Sequence, residues 1–281
     1  MAKFLKWTGI IVILLFVVVL VVYLKGQAHI SATYDVRSTI TNVGSDSALI
    51  ARGEHLANIN GCTDCHGVDL SGSEMVDAPP FRVVASNLTS GQGGVAKNYD
   101  DAGWDRAIRH GIRSDGTALI IMPSEAYSNL SDADAEALIA FVKSVPPSNN
   151  EMEPTEFKFL GSILAGLGQL DLSQGVVINT TIAEAPAIDS TEVYGKYLAN
   201  ITCTHCHGQD FSGGPGPEPG VMYPGLKAAA NWDFNQFSTL LRTGKRPDGT
   251  EVDGNQMPWR AFSHYSNTEM KAIYAYLQTF K

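Results

Sequence analysis

Hydrophobic residues in this chain form one long block, followed by two similar series of short periodic segments. From Trp7 to Leu24, eighteen uncharged and mostly aliphatic residues follow one another. That is enough for about 27 Å of helix at ~1.5 Å per residue, nearly the thickness of a bilayer core. Beyond it, apolar positions at helical spacing predict helices over 47–60 and 100–110, and again over 190–202 and 232–243. Ser47 and Ser190 are candidate N-caps, and Gly111 and Gly244 end the second helix of each series. A last helix starts at Ser131 in one series and Ser266 in the other. Their apolar faces carry Leu138, Ile139, Phe141 and Val142, and Ile273, Tyr274, Tyr276 and Leu277. The fold class is therefore mostly α. The intervening Gly-, Pro-, Asn- and Ser-rich loops are long for a core of this size, so a large apolar cofactor is expected to supply the missing surface.

The two series are one domain written twice. Gly53-Glu54-His55-Leu56-Ala57-Asn58 aligns with Gly195-Lys196-Tyr197-Leu198-Ala199-Asn200, and Cys62 to Gly72 aligns with Cys203 to Gly213. Further on, the segment from Ile108 to Thr117 matches that from Leu241 to Thr250, and Met122-Pro123 matches Met257-Pro258. At 281 residues the chain accommodates two domains of roughly 100 residues each. The expected layout is an N-terminal anchor over 1–30, a first domain over 45–147, a linker over 148–189 and a second domain over 190–281. Pro146, Pro147 and Pro154 open the linker. Its apolar run from Phe157 to Leu170 is too short and too polar to span a membrane, and is expected to pack across the domain interface, with a shallow membrane contact as the alternative given its weak amphipathicity.

Lys3 and Lys6 precede the long apolar block and Lys25 follows it, which places the N-terminus in the cytoplasm and the remainder outside; Trp7 and Tyr23 mark the two interfaces. A cleaved signal peptide with Ile30-Ser31-Ala32 at the cut is the competing reading. The block exceeds the usual hydrophobic length of about 7–15 residues for such peptides, which favours a retained anchor. Both readings export the chain. The net charge is −9, and without the three lysines of the anchor the exported part carries about −12. That balance argues against nucleic acid as a partner and suits either steering of a basic protein partner or plain solubility.

All four cysteines fall in two copies of Cys-x-x-Cys-His: Cys62-Thr63-Asp64-Cys65-His66 and Cys203-Thr204-His205-Cys206-His207. This spacing is the attachment signal for c-type haem, in which two thiols bond the vinyl groups and the adjacent imidazole reaches the iron. A zinc ribbon places its paired thiols about 15 to 20 residues apart, whereas a whole domain separates these. A thioredoxin-like pair needs a βαβ setting, and structural disulfides leave the following histidines unexplained. Two covalently attached haems are expected, with His66 and His207 as proximal ligands. Met122 and Met257 are the candidates for the opposite axial position, since both copies keep Met-Pro between the same Asp-Gly-Thr loop and the same terminal helix. Met75 and Met222 have no counterpart in the other copy; His55 and His110 are replaced by Tyr197 and Thr243. Two strong axial ligands leave no open position, and a soft thioether favours ferrous iron, so the site suits outer-sphere electron transfer. Trp104, Arg109, Trp232, Arg242 and Trp259 could reach the haem propionates or serve ordinary packing.

On these motifs each half resembles a class I cytochrome c domain. The whole resembles membrane-bound multihaem cytochrome c subunits that serve periplasmic dehydrogenases. Asn87-Leu88-Thr89 is similar to that family's loop beside the haem, and the second copy has Pro215 to Gly225 instead. The resemblance implies helices packed around each haem and single-electron exchange between a dehydrogenase or other donor and an oxidase, reaction centre or soluble carrier. A peroxidase-type dihaem enzyme with one open haem, and a haem-bearing structural subunit, are the alternatives.

Overall fold

The structure, a computed structural model, describes residues 1–178, 184–216 and 220–281; part of the linker, 179–183, and part of the Pro215–Gly225 segment, 217–219, lie outside the described residues. A long helix, α1 (Ala2–Ile30), comes first. The first half then contains α2 (Ser47–Ile59), α3 (Cys62–His66), β1 (Ser73–Asp77), β2 (Phe81–Ala85), α4 (Asp101–His110), α5 (Ser124–Tyr127) and α6 (Asp132–Ser144). The connecting segment carries β3 (Glu156–Phe157) and α7 (Phe159–Gly166). The second half repeats the plan: α8 (Glu192–Thr202), α9 (Thr204–His207), β4 (Gly214–Pro215), β5 (Met222–Tyr223), α10 (Phe234–Thr243), α11 (Trp259–Phe262) and α12 (Asn267–Gln278).

In each half the helix before the Cys-x-x-Cys-His motif crosses the terminal helix, α2 on α6 and α8 on α12. Both crossings pass through a glycine. A Cβ at Gly53 would lie 1.9 Å from the Ala137 carbonyl oxygen, and one at Gly195 would lie 1.9 Å from that of Ala272. Only the missing side chain lets these backbones touch. Leu56, Ile59, Leu138 and Ile139 close the first core; Leu198, Ile201, Met270 and Ile273 close the second.

The predicted caps of the terminal helices form: Ser131 Oγ accepts from Asp134 N, and Ser266 Oγ accepts from Glu269 N while Glu269 returns a bond to Ser266 N. The caps of the first helices shift by one residue. Asp46, not Ser47, caps α2, its carboxylate accepting from Leu49 N, and Thr191 occupies the N-cap of α8 in place of Ser190. A hairpin absent from the helical reading stands between α3 and Asn87. Its strands β1 and β2 pair antiparallel around the Pro79-Pro80 turn, with β3 of the connecting segment added to β2. In the second half it shrinks to the two-residue pair β4–β5.

The apolar run of the linker packs on α1 rather than across the domain interface. Its small residues Gly161, Ser162, Ala165 and Gly166 are buried: Ser162 and Gly166 meet the backbone of α1 at Gly26 and Val22, while Gly161 lies against the Pro80 carbonyl.

The two halves meet where α2 packs on α11 and α5 on α8 and α9, and side-chain bonds join α2 and α6 to α8 and α12. The contact carries the duplication's symmetry. Asp134 and Glu269, both at the third position of a terminal helix, are each bound by a residue of their own half and one of the other. Arg52 makes a two-pronged bond to Asp134 at 2.9 Å and Tyr197 donates to it at 2.7 Å. Tyr194 donates to Glu269 at 3.3 Å and His55 contacts it at 2.8 Å. In the alignment Arg52 corresponds to Tyr194 and His55 to Tyr197. The duplicated positions thus keep their geometry but exchange a cation and an imidazole for two phenols.

Candidate haem sites

Each motif helix is a single turn, and the loop that follows it has the same backbone in both halves. Gly72 N donates to His66 O, and Gly213 N to His207 O. Leu70 and Phe211, both non-glycine residues at positive φ (54° and 57°), turn inward and are buried. The strain of that conformation is offset by burial of a large side chain in each core. From there Leu70 O accepts from Leu88 N, and Phe211 O from Leu226 N, so the next segment is drawn alongside the motif.

This arrangement sets the imidazoles. His66 Nδ1 bonds the Ser86 carbonyl at 2.8 Å, and His207 Nδ1 bonds the Pro224 carbonyl at 2.7 Å. With Nδ1–H committed to a carbonyl, the neutral tautomer presents Nε2 as the ligating nitrogen, the orienting contact that metal-bound histidines use. Burial lowers both imidazole pKa values, outweighing the carbonyl bonds that raise them, which keeps the rings neutral. Burial, together with the neighbouring Cys65, pushes the Cys62 thiol up to about 12, and burial raises Cys65 and Cys203 as well. These are shielded thiols in apolar surroundings, unlike the electropositive settings of reactive thiolates.

In the first half His66 and Met122 line one apolar cavity together with Cys62, Leu88, Trp104 and Tyr127. The cavity continues into a more open cleft of about 520 Å³ that Cys65, His66 and Met122 also border. Met75 borders only that outer cleft. Asn60 lines the inner cavity with a buried Oδ1 that no described group satisfies. In the second half Met257 is half-buried and packs against the core, as do Leu226 and Trp232. Among the described residues no group of three or more Cys, His, Asp and Glu could hold a bare metal ion. A thiol pair, a neutral imidazole and a thioether around an apolar cavity fit a porphyrin instead.

Several residues weighed from sequence serve other ends. Arg109 is buried against Asp105 and Asp132, which ties α4 to the start of α6; Arg242 makes the equivalent bond to Asn267. Asn87 is buried, and its amide donates to the Ser148 and Asn150 carbonyls, fastening the loop beside His66 to the linker. His205, between the thiols of the second motif, pairs with Glu125, three residues after Met122. At the symmetry-related point partial desolvation raises the Asp64 carboxyl, opposed by the charges of Arg260, three residues after Met257, and His264. The motif turn of each half therefore lies against the Met-Pro turn of the other.

A family model for cytochrome c matches residues 50–146 and again 193–281, well over half of the chain. The chain belongs to the cytochrome c family. As a cytochrome c it carries covalently bound haem c and works in electron transfer. The cytochrome c subunit of the alcohol dehydrogenase (quinone) of Gluconobacter oxydans (strain 621H) is 27% identical over 84% of this chain and 55% of its own length. The fructose dehydrogenase cytochrome subunit of Gluconobacter japonicus is 25% identical over 82% of this chain and 52% of its own length. The chain thus spans about half the length of these dehydrogenase subunits. A diheme cytochrome c-type protein of Cereibacter sphaeroides is 24% identical over 92% of this chain and 94% of its own length.

Proposed function

We propose that this cytochrome c binds two haems, one at Cys62, Cys65 and His66 with Met122 opposite, the other at Cys203, Cys206 and His207 with Met257 opposite. It carries single electrons from a dehydrogenase to a respiratory or photosynthetic acceptor and performs no substrate chemistry itself. The observation that carries this reading is the repeated histidine setting, with Nδ1 on a backbone carbonyl in both halves and His66 sharing an apolar cavity with Met122. When bound, haem supplies an iron that cycles between ferrous and ferric states. The chain's own residues would hold it: the two thiols of each motif would bond the porphyrin, the imidazole and the thioether would bind its iron, and the apolar lining would limit access of water. With Met122 and Met257 as ligands, neither half would keep the free position that a peroxidase-type site needs.

The N-terminal helix is long and apolar enough to cross a membrane. Its flanking lysines support a cytoplasmic N-terminus and haem domains on the periplasmic side. The dehydrogenase subunits among its relatives support a dehydrogenase as donor. Mixing the purified protein with a reduced periplasmic dehydrogenase in a stopped-flow spectrometer tests this. Reduction of both haems within the turnover time of the dehydrogenase is expected; a haem that stays oxidised, or that binds peroxide, overturns it.

A further inference from the structure

We propose that α7 lies in the outer leaflet of the membrane as an in-plane element beside the end of α1, so that the chain grips the bilayer at two points and holds the first haem cleft at its surface. The inference rests on α1 being a membrane anchor. Two faces of α7 carry the argument.

The first face is fitted to α1. A Cβ at Gly26 would lie 1.8 Å from the Ser162 carbonyl oxygen, and one at Gly166 would lie 2.0 Å from that of Val22, so the two backbones are in contact. Gln27 Nε2 donates to Ser162 Oγ at 2.6 Å, and the Tyr23 and Phe159 rings stack at 5.5 Å. Small residues at a close crossing with a polar bond beside it are how helices associate within lipid. The crossing involves Val22 to Gln27, at the outer end of the apolar block that closes at Leu24.

The second face is apolar and open. Phe159, Leu160 and Leu167 are 63%, 45% and 57% exposed, Ile163 and Leu164 are half-buried, and α7 contains no charged residue. This patch adjoins the side chains of α1, whose apolar window has no buried residue. Water on one side of that seam and hydrocarbon on the other would leave the stacked Tyr23 and Phe159 in two solvents. The same bilayer covers both surfaces, and α7 sits at the depth of about 5–10 Å that in-plane helices reach.

One end of α7 is tied to the first half and the other to α1. Lys158 N donates to the Pro80 carbonyl, its ammonium pairs with Asp77, and β3 extends the β1–β2 sheet. After α7, Leu172 N donates to His29 Nε2 at 3.3 Å. Ile30 and Leu172 both border the open cleft that His66 and Met122 share. Seating α7 in the leaflet therefore sets the angle between this cleft and the membrane, which a single flexible anchor could not do.

The test uses the full-length haem-loaded protein in phosphatidylethanolamine–phosphatidylglycerol vesicles, with a hydrocarbon-soluble diazirine activated by light and the labelled peptides mapped by mass spectrometry. Labelling of 159–167 to the same extent as 7–24 is expected. In the double variant Leu160→Asp, Leu167→Asp, labelling of 159–167 should fall to that of water-facing peptides. Its haem spectrum should be unchanged, because both side chains are exposed, and the fixed haem tilt seen by polarised absorption of oriented membranes should be lost. Labelling of 7–24 without 159–167 overturns the inference and leaves the anchor standing. Labelling of neither overturns both.

Discussion

At the scale of residues, the duplication separates the proposed ligands from residues that occur in one half alone. His66 and His207, and Met122 and Met257, recur in both halves, whereas Met75 and Met222 do not. The ligand candidates could be chosen from sequence because covalent and axial chemistry fixes residue type and spacing. Their orienting partners were not. The carbonyls of Ser86 and Pro224 lie 20 and 17 residues after their histidines, on loops of unequal length, and any residue can offer a carbonyl. The roles of Arg109 and Arg242 were also hidden, since a buried ion pair and a propionate bond look alike in sequence. Met257→Ala should lower the midpoint potential of one haem by on the order of 0.1 V, within the ~0.8 V that axial ligands command, and allow that haem to bind carbon monoxide. An unchanged potentiometric titration would remove Met257 from the site.

At the scale of elements, the helices followed from period and caps, and the paired Gly53 and Gly195 mark where they cross. A methyl group at either position meets a backbone carbonyl, which cannot move aside as a flexible side chain would. Gly195→Ala should cost at least 1–3 kcal/mol, roughly the scale of overpacking, and separate α8 from α12. Chemical unfolding followed at the Soret band measures it, and a loss below about 0.5 kcal/mol, the size of an ordinary surface change, contradicts this packing. The β1–β2 hairpin and α7 escaped the sequence reading for different reasons. The hairpin is a short insertion with weak alternation, stabilised by β3 from far along the chain. The apolar run that contains α7 was visible, but its small residues were not recognised as a surface made for another backbone.

At the scale of the whole molecule, the halves are joined through the buried pair of carboxylates at Asp134 and Glu269. Burial pushes the Glu269 carboxyl up, but bonds from His55 and Ser266 bring it net below its ordinary value of 4.5; Arg52 and Tyr194 also face it. A carboxylate held below its unfolded value stabilises fully above that value, and the contribution is lost as pH falls through the lowered one. The joint should therefore loosen only in acid, below the ordinary glutamate range. Glu269→Gln should cost about 1–3 kcal/mol at neutral pH and flatten that acid limb. Small-angle scattering against pH reads the separation of the halves, and an equal acid response in wild type and variant would exclude Glu269 as the cause. Charge is also divided unevenly. Residues 45–147 carry 14 acidic and 7 basic side chains, whereas 190–281 carry eight of each. A basic redox partner steered by charge should therefore approach the first half, and its reduction rate should fall as salt is added.

The account depends on each half holding its own haem by covalent bonds. Intact-mass spectrometry of the protein purified from membranes, followed by mapping of its peptides, addresses this directly. A mass above that of the polypeptide by two haem groups, one on the peptide containing Cys62 and Cys65 and one on that containing Cys203 and Cys206, is predicted. A chain carrying one haem or none would contradict it.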